Sequence, residues 1–213
     1  LRLNVEVTNI NWSQMAGQKS IVRCADGHTY SADHVISTIP IGVLQARHQQ
    51  LFTPSLNERK ILTIENYGSG NLGKIFLDFE EPFWPTNESF ATFSFLWREE
   101  DVEEVRSTGR EWLMAISTFH RLDGFSNVIQ AFVSGVHMRT FETISDEKLI
   151  KDCRWLLEKF VGRKLPKLKN MARSRWLTKK NFLGSYTFIG RGFDKFNVGP
   201  KDLAEPIRKL DGK

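Results

Sequence analysis

Gly68-Ser-Gly-Asn-Leu-Gly-Lys-Ile-Phe-Leu-Asp-Phe-Glu-Glu-Pro-Phe-Trp84 is the stretch on which the reading of the fold turns. Its first six residues match the G-x-G-x-x-G pattern of dinucleotide sites. That pattern works when a strand enters the glycine turn and a helix leaves it, so that the helix N-terminus faces the pyrophosphate. Here the order is reversed. Ser55 and Glu58, spaced as a capping box, open a helix expected to run to about Asn66, ahead of the glycines. After them the pattern alternates, with Ile75, Leu77 and Phe79 on one face of a strand and Lys74, Phe76 and Asp78 on the other. The glycines are therefore expected to form a flexible helix-to-strand connection and not a phosphate cradle. The strand ends at Glu81-Pro82.

Working upstream, Leu1, Leu3, Val5 and Val7 alternate with polar residues and lead to Ile10 and Trp12, the period of a half-buried strand. Residues 21–24 and 28–33 flank Asp26-Gly27, a dipeptide suited to a tight hairpin turn. A short apolar strand at 35–39 is expected to run into Pro40 and turn into a helix there, since proline suits a first helical position. Downstream, segments rich in Phe and Trp near 90–97, 112–119 and 128–134 suggest antiparallel strands joined by polar loops. Ser145 then caps a helix with Asp146 and Glu147 in its first turn. Its apolar stripe is Leu149, Ile150, Cys153, Leu156, Leu157, Phe160 and Val161, and Gly162 and Pro166 stop it. The mixture is α/β or α+β, without an internal repeat.

The 213 residues leave room for one large domain or two modest ones, and with 40% hydrophobic and 12% aromatic residues the chain is globular. No apolar run approaches the roughly 20 residues of a membrane span. Cys24 and Cys153 have neither metal-ligand spacing nor the numbers for a disulfide framework. The five histidines likewise show no ligand spacing, so no metal is expected. The net charge of +5 is segregated. Residues 78–104 hold nine acids against Arg98, and residues 148–180 hold twelve bases against Asp152 and Glu158. The basic run, with Trp155, Phe160 and Trp176 among its charges, admits a nucleic-acid face with stacking platforms; a solvated helix followed by a basic connector is the plainer alternative.

Lys74 could be a snorkelling surface lysine, yet an ammonium beside Phe76 is expensive to bury unless something uses it. Its context, Asn71 to Trp84, resembles the flavin-dependent amine oxidases, most closely the polyamine (spermine-type) oxidases. Ala32-Asp-His-Val-Ile-Ser-Thr-Ile-Pro-Ile-Gly-Val-Leu44 is similar to that family's strand-turn near the flavin. Phe52-x-Pro54-x-Leu56 and Lys60 follow at the usual interval. Gly135 with Glu142-x-x-Ser-Asp-Glu147 is similar to the lead into the family's long helix. Ser174-Arg-Trp176 and Gly184-Ser-Tyr186 resemble the strand beneath the flavin. Order and spacing agree over nearly all of the chain.

The resemblance implies a partial Rossmann-like FAD-binding domain (1–50, resumed at 170–213) and a substrate-binding domain (51–169) with a mixed, largely antiparallel sheet flanked by helices. It implies that Lys74 is the catalytic residue, hydrogen-bonding flavin N5 through water, and that Trp176 packs against the flavin. Tyr186 would form one wall of the aromatic cage that holds the substrate amine, where a π-face suits a cationic nitrogen. Val7 falls at the adenine end of FAD, and Thr38 and Pro40 at the flavin-side turn. Ser185 counts among the cofactor residues and is not the cysteine that bonds flavin in monoamine oxidases, so the FAD is expected to be non-covalent.

Asn181 replaces an aromatic and Leu183 an arginine of the family pattern, and Gly190-Arg-Gly192 lies in a stretch about two residues longer than usual. The family's diphosphate fingerprint and its closing flavin segment are not within these residues. An internal fragment is therefore expected, one that does not retain FAD alone. The implied partners are a polyamine and O2, and the implied place is the cytoplasm or the peroxisome. Two rivals stand beside this reading: a non-catalytic interaction module with a basic face, and a relative of the flavin-dependent histone demethylases.

Overall fold

A computed structural model describes residues 1–12, 17–85 and 92–208. In chain order the elements begin with β1 (Val7–Asn11), β2 (Ser20–Cys24), β3 (Thr29–Ala32), α1 (Ile41–Leu51), β4 (Phe52–Thr53), α2 (Glu58–Asn66) and β5 (Tyr67–Ser69). They continue with β6 (Leu72–Phe79), β7 (Thr92–Ser94), α3 (Glu99–Ser107), β8 (Ile116–Arg121), β9 (Val128–Ser134), α4 (Met138–Thr143), α5 (Asp146–Val161) and β10 (Leu168–Arg173). β11 (Thr187–Ile189), α6 (Gly192–Phe196) and α7 (Pro200–Ala204) close the chain. Short 3-10 turns at Glu111–Ala115 and Gly135–His137 precede β8 and α4. These elements form two compact units, Leu1–Ser69 with Lys180–Leu183 and Thr187–Lys213, and Gly70–Lys179 with Gly184–Tyr186.

In the first unit the sheet runs β3-β2-β1-β4, antiparallel except for the parallel pair β1 and β4. The hairpin forms at Asp26-Gly27, where Gly27 has φ of +86°. Two expectations fail here for one reason. Residues 1–6 and 35–39 alternate or run apolar as strands do, but they pair with no strand among the described residues, and Leu1, Leu3 and Ile36 stand exposed. A strand exists only where a neighbour takes up its hydrogen bonds. Helix α1 does start after Pro40. Helix α2 ends at Asn66 as expected but is capped by Asn57, whose side chain accepts from Lys60 N at 3.0 Å, and not by Ser55.

The glycines at 68–73 do not form a flexible connection. Gly68 lies in β5, paired with β11, and a Cβ there would sit 2.2 Å from the Phe188 ring. In the second unit a Cβ on Gly73 would lie 2.7 Å from the Phe141 ring. At both positions glycine permits close packing. No helix follows them, so the dinucleotide reading is absent, as expected.

The second unit is built on an entirely antiparallel sheet, β10-β6-β9-β8-β7. Ile75, Leu77 and Phe79 point to one face and join Phe119, Ile129, Val133, Phe141, Leu149 and Leu156 in a single apolar cluster. Helix α5 is read correctly by its pattern. Ser145 accepts from Lys148 N at 3.2 Å, and Gly162 ends the helix in the left-handed region at φ +75°. Burial pushes the Cys153 thiol above its ordinary value.

Residues 92–94, 116–121 and 128–134 are strands near the expected places, although 95–97 are not strand and Glu111–Ala115 is a 3-10 turn. Positions 90 and 91 of the expected strand, and the tail beyond 208, lie outside the described residues. The last five acids of the acidic run, in a stretch expected as a polar loop, lie in α3. Its three leading acids complement the helix N-terminus, and Val105 is buried.

The two charge runs largely neutralise each other or pair locally. Lys159 bridges Asp101 and Glu104, each at 2.8 Å, and Lys167 meets Glu80 at 3.5 Å. Among the described residues, eight of the twelve bases are ion-paired: Lys148, Arg154, Lys159, Lys164, Lys167, Arg173, Arg175 and Lys180. This reduces the free charge available for phosphate contacts.

Asp101 links α3 to α5 and yields a prediction. Its carboxylate accepts from Arg98 Nε and Arg98 N, both at 3.1 Å, and meets Lys159 Nζ at 2.8 Å. Arg98 first, then Lys159, hold it well below its ordinary value of 3.8. A depressed folded value means that the carboxylate stabilises the fold above about pH 4 and loses that contribution only as pH falls through the lower value. Asp101→Asn is expected to lower the urea midpoint at pH 7, with the gap to the parent closing only below about pH 4. A gap that closes between pH 7 and 5 contradicts this.

Candidate active site

β6 delivers Lys74 to the face of the second unit's sheet opposite the apolar cluster, together with Phe76 and Asp78. Phe132 on β9 is its register partner. The Lys74 ammonium lies 4.9 Å from the centroid of the Phe132 ring, and His120 stacks on the same ring at 6.1 Å. Lys74 is half-buried, and its Nζ has no carboxylate or carbonyl partner among the described residues. Phe132 is 40% exposed. An ammonium over a π-face, partly shielded from water and unmatched by an anion, is a charge available to a ligand or to an ordered water.

Two segments, 174–176 and 184–186, converge by hydrogen bonding on the start of β6 and the turn before it. Ser174 N donates to Lys74 O at 2.9 Å, and Lys74 N donates to Ser174 Oγ at 2.8 Å. Ser185 N and Oγ both donate to Gly70 O, at 3.0 and 2.9 Å, and Ser185 Oγ accepts from Leu72 N at 2.7 Å. Gly70 N donates to Tyr186 O at 2.6 Å, and Gly184 N donates to Trp176 O at 3.1 Å. Lys74, Trp176, Ser185 and Tyr186, spread over more than a hundred positions, thus sit on one laced group of segments. Trp176 (41% exposed) and Tyr186 (66% exposed) are accessible. The Ser185 hydroxyl is spent on the Gly70–Leu72 turn.

In the first unit Val7 and Pro40 line one cavity of about 190 Å³, together with the aliphatic Val5, Ile39, Val43 and Leu51 and the polar Glu6, Arg47 and Asn181. Thr38 is exposed two residues before Pro40. Glu6 meets Lys180 at 2.6 Å and Arg47 at 3.2 Å, and these cations hold its carboxyl below the ordinary value. A mostly aliphatic lining with a few polar groups suits one ring system, and the volume is too small for a whole dinucleotide. Asn181, a departure from the family pattern, belongs to this cavity. Leu183, the other departure, presents its carbonyl so close to Gly42 that a Cβ there would lie 2.1 Å from it. Both donor sets fit parts of a flavin dinucleotide: a cation and partly exposed aromatic rings in one unit, an apolar ring pocket in the other.

Phe132, Ser174 and Glu142 belong to the site's surroundings without having been singled out in the sequence as site residues. Phe132 lies 58 positions from Lys74, and only strand register joins them. Lys60, quoted as part of a motif, is buried, and its Nζ donates to the carbonyls of Asp202, Leu203 and Glu205 at 2.6, 3.1 and 2.5 Å, tying down the end of α7. Burial lowers its pKa. Among the described residues no three His, Cys, Asp or Glu side chains gather to hold a metal ion, and no helix is long and apolar enough to cross a membrane.

The sequence profile described as flavin containing amine oxidoreductase matches residues 1–205. A peroxisomal N(1)-acetyl-spermine/spermidine oxidase of Bos taurus is 32% identical over 200 residues, covering 91% of this chain and 38% of the relative. Its Homo sapiens counterpart is 33% identical over 178 residues, covering 80% of this chain and 34% of the relative. Lysine-specific histone demethylase 1B of Mus musculus is 27% identical over 190 residues, covering 89% of this chain and 21% of the relative. A solved putrescine oxidase variant redesigned in cofactor binding superposes with a TM-score of 0.64 at 16% identity, over 97% of this chain and 41% of that one. It shares the mixed α/β architecture. The chain therefore spans well under half the length of the relatives it matches. From residues 1–205 and these identities, the chain belongs to the flavin-containing amine oxidoreductase family.

Proposed function

We propose that the full-length protein is an FAD-dependent polyamine oxidase. It would convert a spermine- or spermidine-type amine, free or acetylated, with O2 and water into an aldehyde, a shorter amine and hydrogen peroxide. The observation that carries this reading is the Lys74 ammonium, half-buried over Phe132 and unmatched by an anion among the described residues. The relatives named as peroxisomal acetylpolyamine oxidases support the amine class and a peroxisomal location for the whole protein.

Bound FAD would supply the acceptor for the hydride equivalent taken from the carbon beside a secondary amine. The side chains have separate tasks. Lys74 would hold a water at the reacting centre and move a proton through it. Tyr186 would offer its accessible ring to the substrate nitrogen, which must shed its proton before oxidation yet is drawn in as a cation. Trp176 would pack against the cofactor ring, with Ser185 fixing the turn beside it. Val7, Thr38 and Pro40 would meet the cofactor in the first unit, non-covalently. The test is peroxide release by the full-length protein offered spermine, N-acetylspermine and a dimethyl-lysine peptide in turn. Peroxide from either polyamine supports the proposal. Peroxide from the peptide alone moves the assignment to the demethylase branch, and peroxide from none overturns it.

A further inference from the structure

Glu142, near the end of α4, is 2% exposed, yet both of its carboxylate oxygens are taken up by a segment more than thirty residues away. Oε1 accepts from Leu177 N at 2.9 Å. Oε2 accepts from Thr178 N at 2.7 Å and from Thr178 Oγ1 at 2.8 Å. The lock runs in both directions. Arg175 Nε donates to the Glu142 carbonyl at 3.2 Å, and the Arg173 guanidinium donates to the carbonyls of Phe141 and Ile144, satisfying groups that the end of α4 leaves open. Arg173 and Arg175 also share Asp146, at 2.7 and 3.2 Å.

Residues 173, 175, 177 and 178 are all held by this corner. Trp176 lies between them and is 41% exposed. Its carbonyl passes the constraint on, accepting from Gly184 N, next to Ser185 and Tyr186. A buried carboxylate that gathers three donors is an expensive way to fix a loop unless the loop's geometry matters.

We infer that Glu142 is a positioning residue, which sets the Trp176 ring at the angle the cofactor requires by clamping the two amides that follow it. The inference rests on the amine-oxidase reading. Glutamine keeps the side chain's shape but replaces one acceptor oxygen with a donor, so Glu142→Gln can serve the Thr178 pair or Leu177 but not both.

The test uses the full-length protein with its FAD, comparing the parent with Glu142→Gln, Trp176→Phe and the double variant. Amide hydrogen exchange at 177 and 178 is expected to speed up by at least about tenfold in Glu142→Gln while the β6 amides keep the parent's protection. The flavin's visible circular dichroism is expected to shift toward that of Trp176→Phe. kcat is expected to fall about tenfold with KM nearly unchanged, and the double variant should be no slower than the slower single one. Unchanged exchange at 177 and 178 overturns the clamp. Faster exchange with the parent's dichroism and kcat, or losses that multiply in the double variant, overturns the link to Trp176. If the parent binds FAD but oxidises no amine, the functional reading fails, while exchange and dichroism still decide the fate of Glu142.

Discussion

Lys74→Met in the full-length protein is expected to lower the turnover of a polyamine with O2 by about 10²-fold or more, the range for losing a positioned proton-transfer group. Methionine keeps the length and apolar stem of lysine and removes the charge. β6 is anchored by the buried Ile75, Leu77 and Phe79 on its other face, and the Lys74 main chain is bonded to Ser174. The fold and the flavin content should therefore match the parent's. Of the interactions described, only the charge over Phe132 and the water it would order are lost. Turnover within about threefold of the parent, in a protein that retains its flavin, would remove Lys74 from the mechanism.

The largest effect on stability is expected away from the site, at Asp152 on α5. This carboxylate is 1% exposed and holds three donors: Arg110 Nε at 3.2 Å, Trp112 Nε1 at 2.9 Å and Lys148 Nζ at 2.9 Å. Arg110 also lies over the Trp155 ring at 4.9 Å. Asp152→Ala leaves a largely buried guanidinium and an indole N–H without their acceptor, a loss of about 3–5 kcal/mol. That corresponds to a fall of about 10 °C in the midpoint of the transition that reports this unit. Asp152→Asn keeps an oxygen for Trp112 and should fall about half as far. A shift of less than about 2 °C for Asp152→Ala would mean that the pair is solvated and not structural.

Where the sequence carries both a pattern and its boundaries, the fold is legible. Helix α5 has a capping serine, two leading acids, an apolar stripe and a glycine stop within eighteen residues, and each does in the structure what its chemistry suggests. The alternation of β6 and the Asp26-Gly27 turn are equally local. Residues 1–6 and 35–39 carry the strand pattern without a partner strand among the described residues, and no local signal reveals a partner. Helix α3 was hidden because its core contribution is chiefly Val105, with Asp101 buried only by virtue of Arg98 and Lys159.

The site divides along the same line. Lys74, Trp176 and Tyr186 are proposed through family resemblance, residue by residue. Phe132 is reached only through the register of β6 on β9, and no spacing in the chain encodes it. Glu142 stood inside a quoted motif, Glu142-x-x-Ser-Asp-Glu147, and looked like part of a helix lead-in. Its chemistry appears only when the backbone of 177 and 178 folds back onto it.

The most direct measurement mixes the purified full-length protein with N-acetylspermine or spermine without oxygen and follows the flavin's visible absorbance. An amine oxidase whose Lys74, Trp176 and Tyr186 serve a flavin predicts bleaching with one equivalent of amine oxidised per flavin, and recovery with one equivalent of peroxide when air is admitted. A flavin that stays fully oxidised at saturating concentrations of both amines would contradict that account.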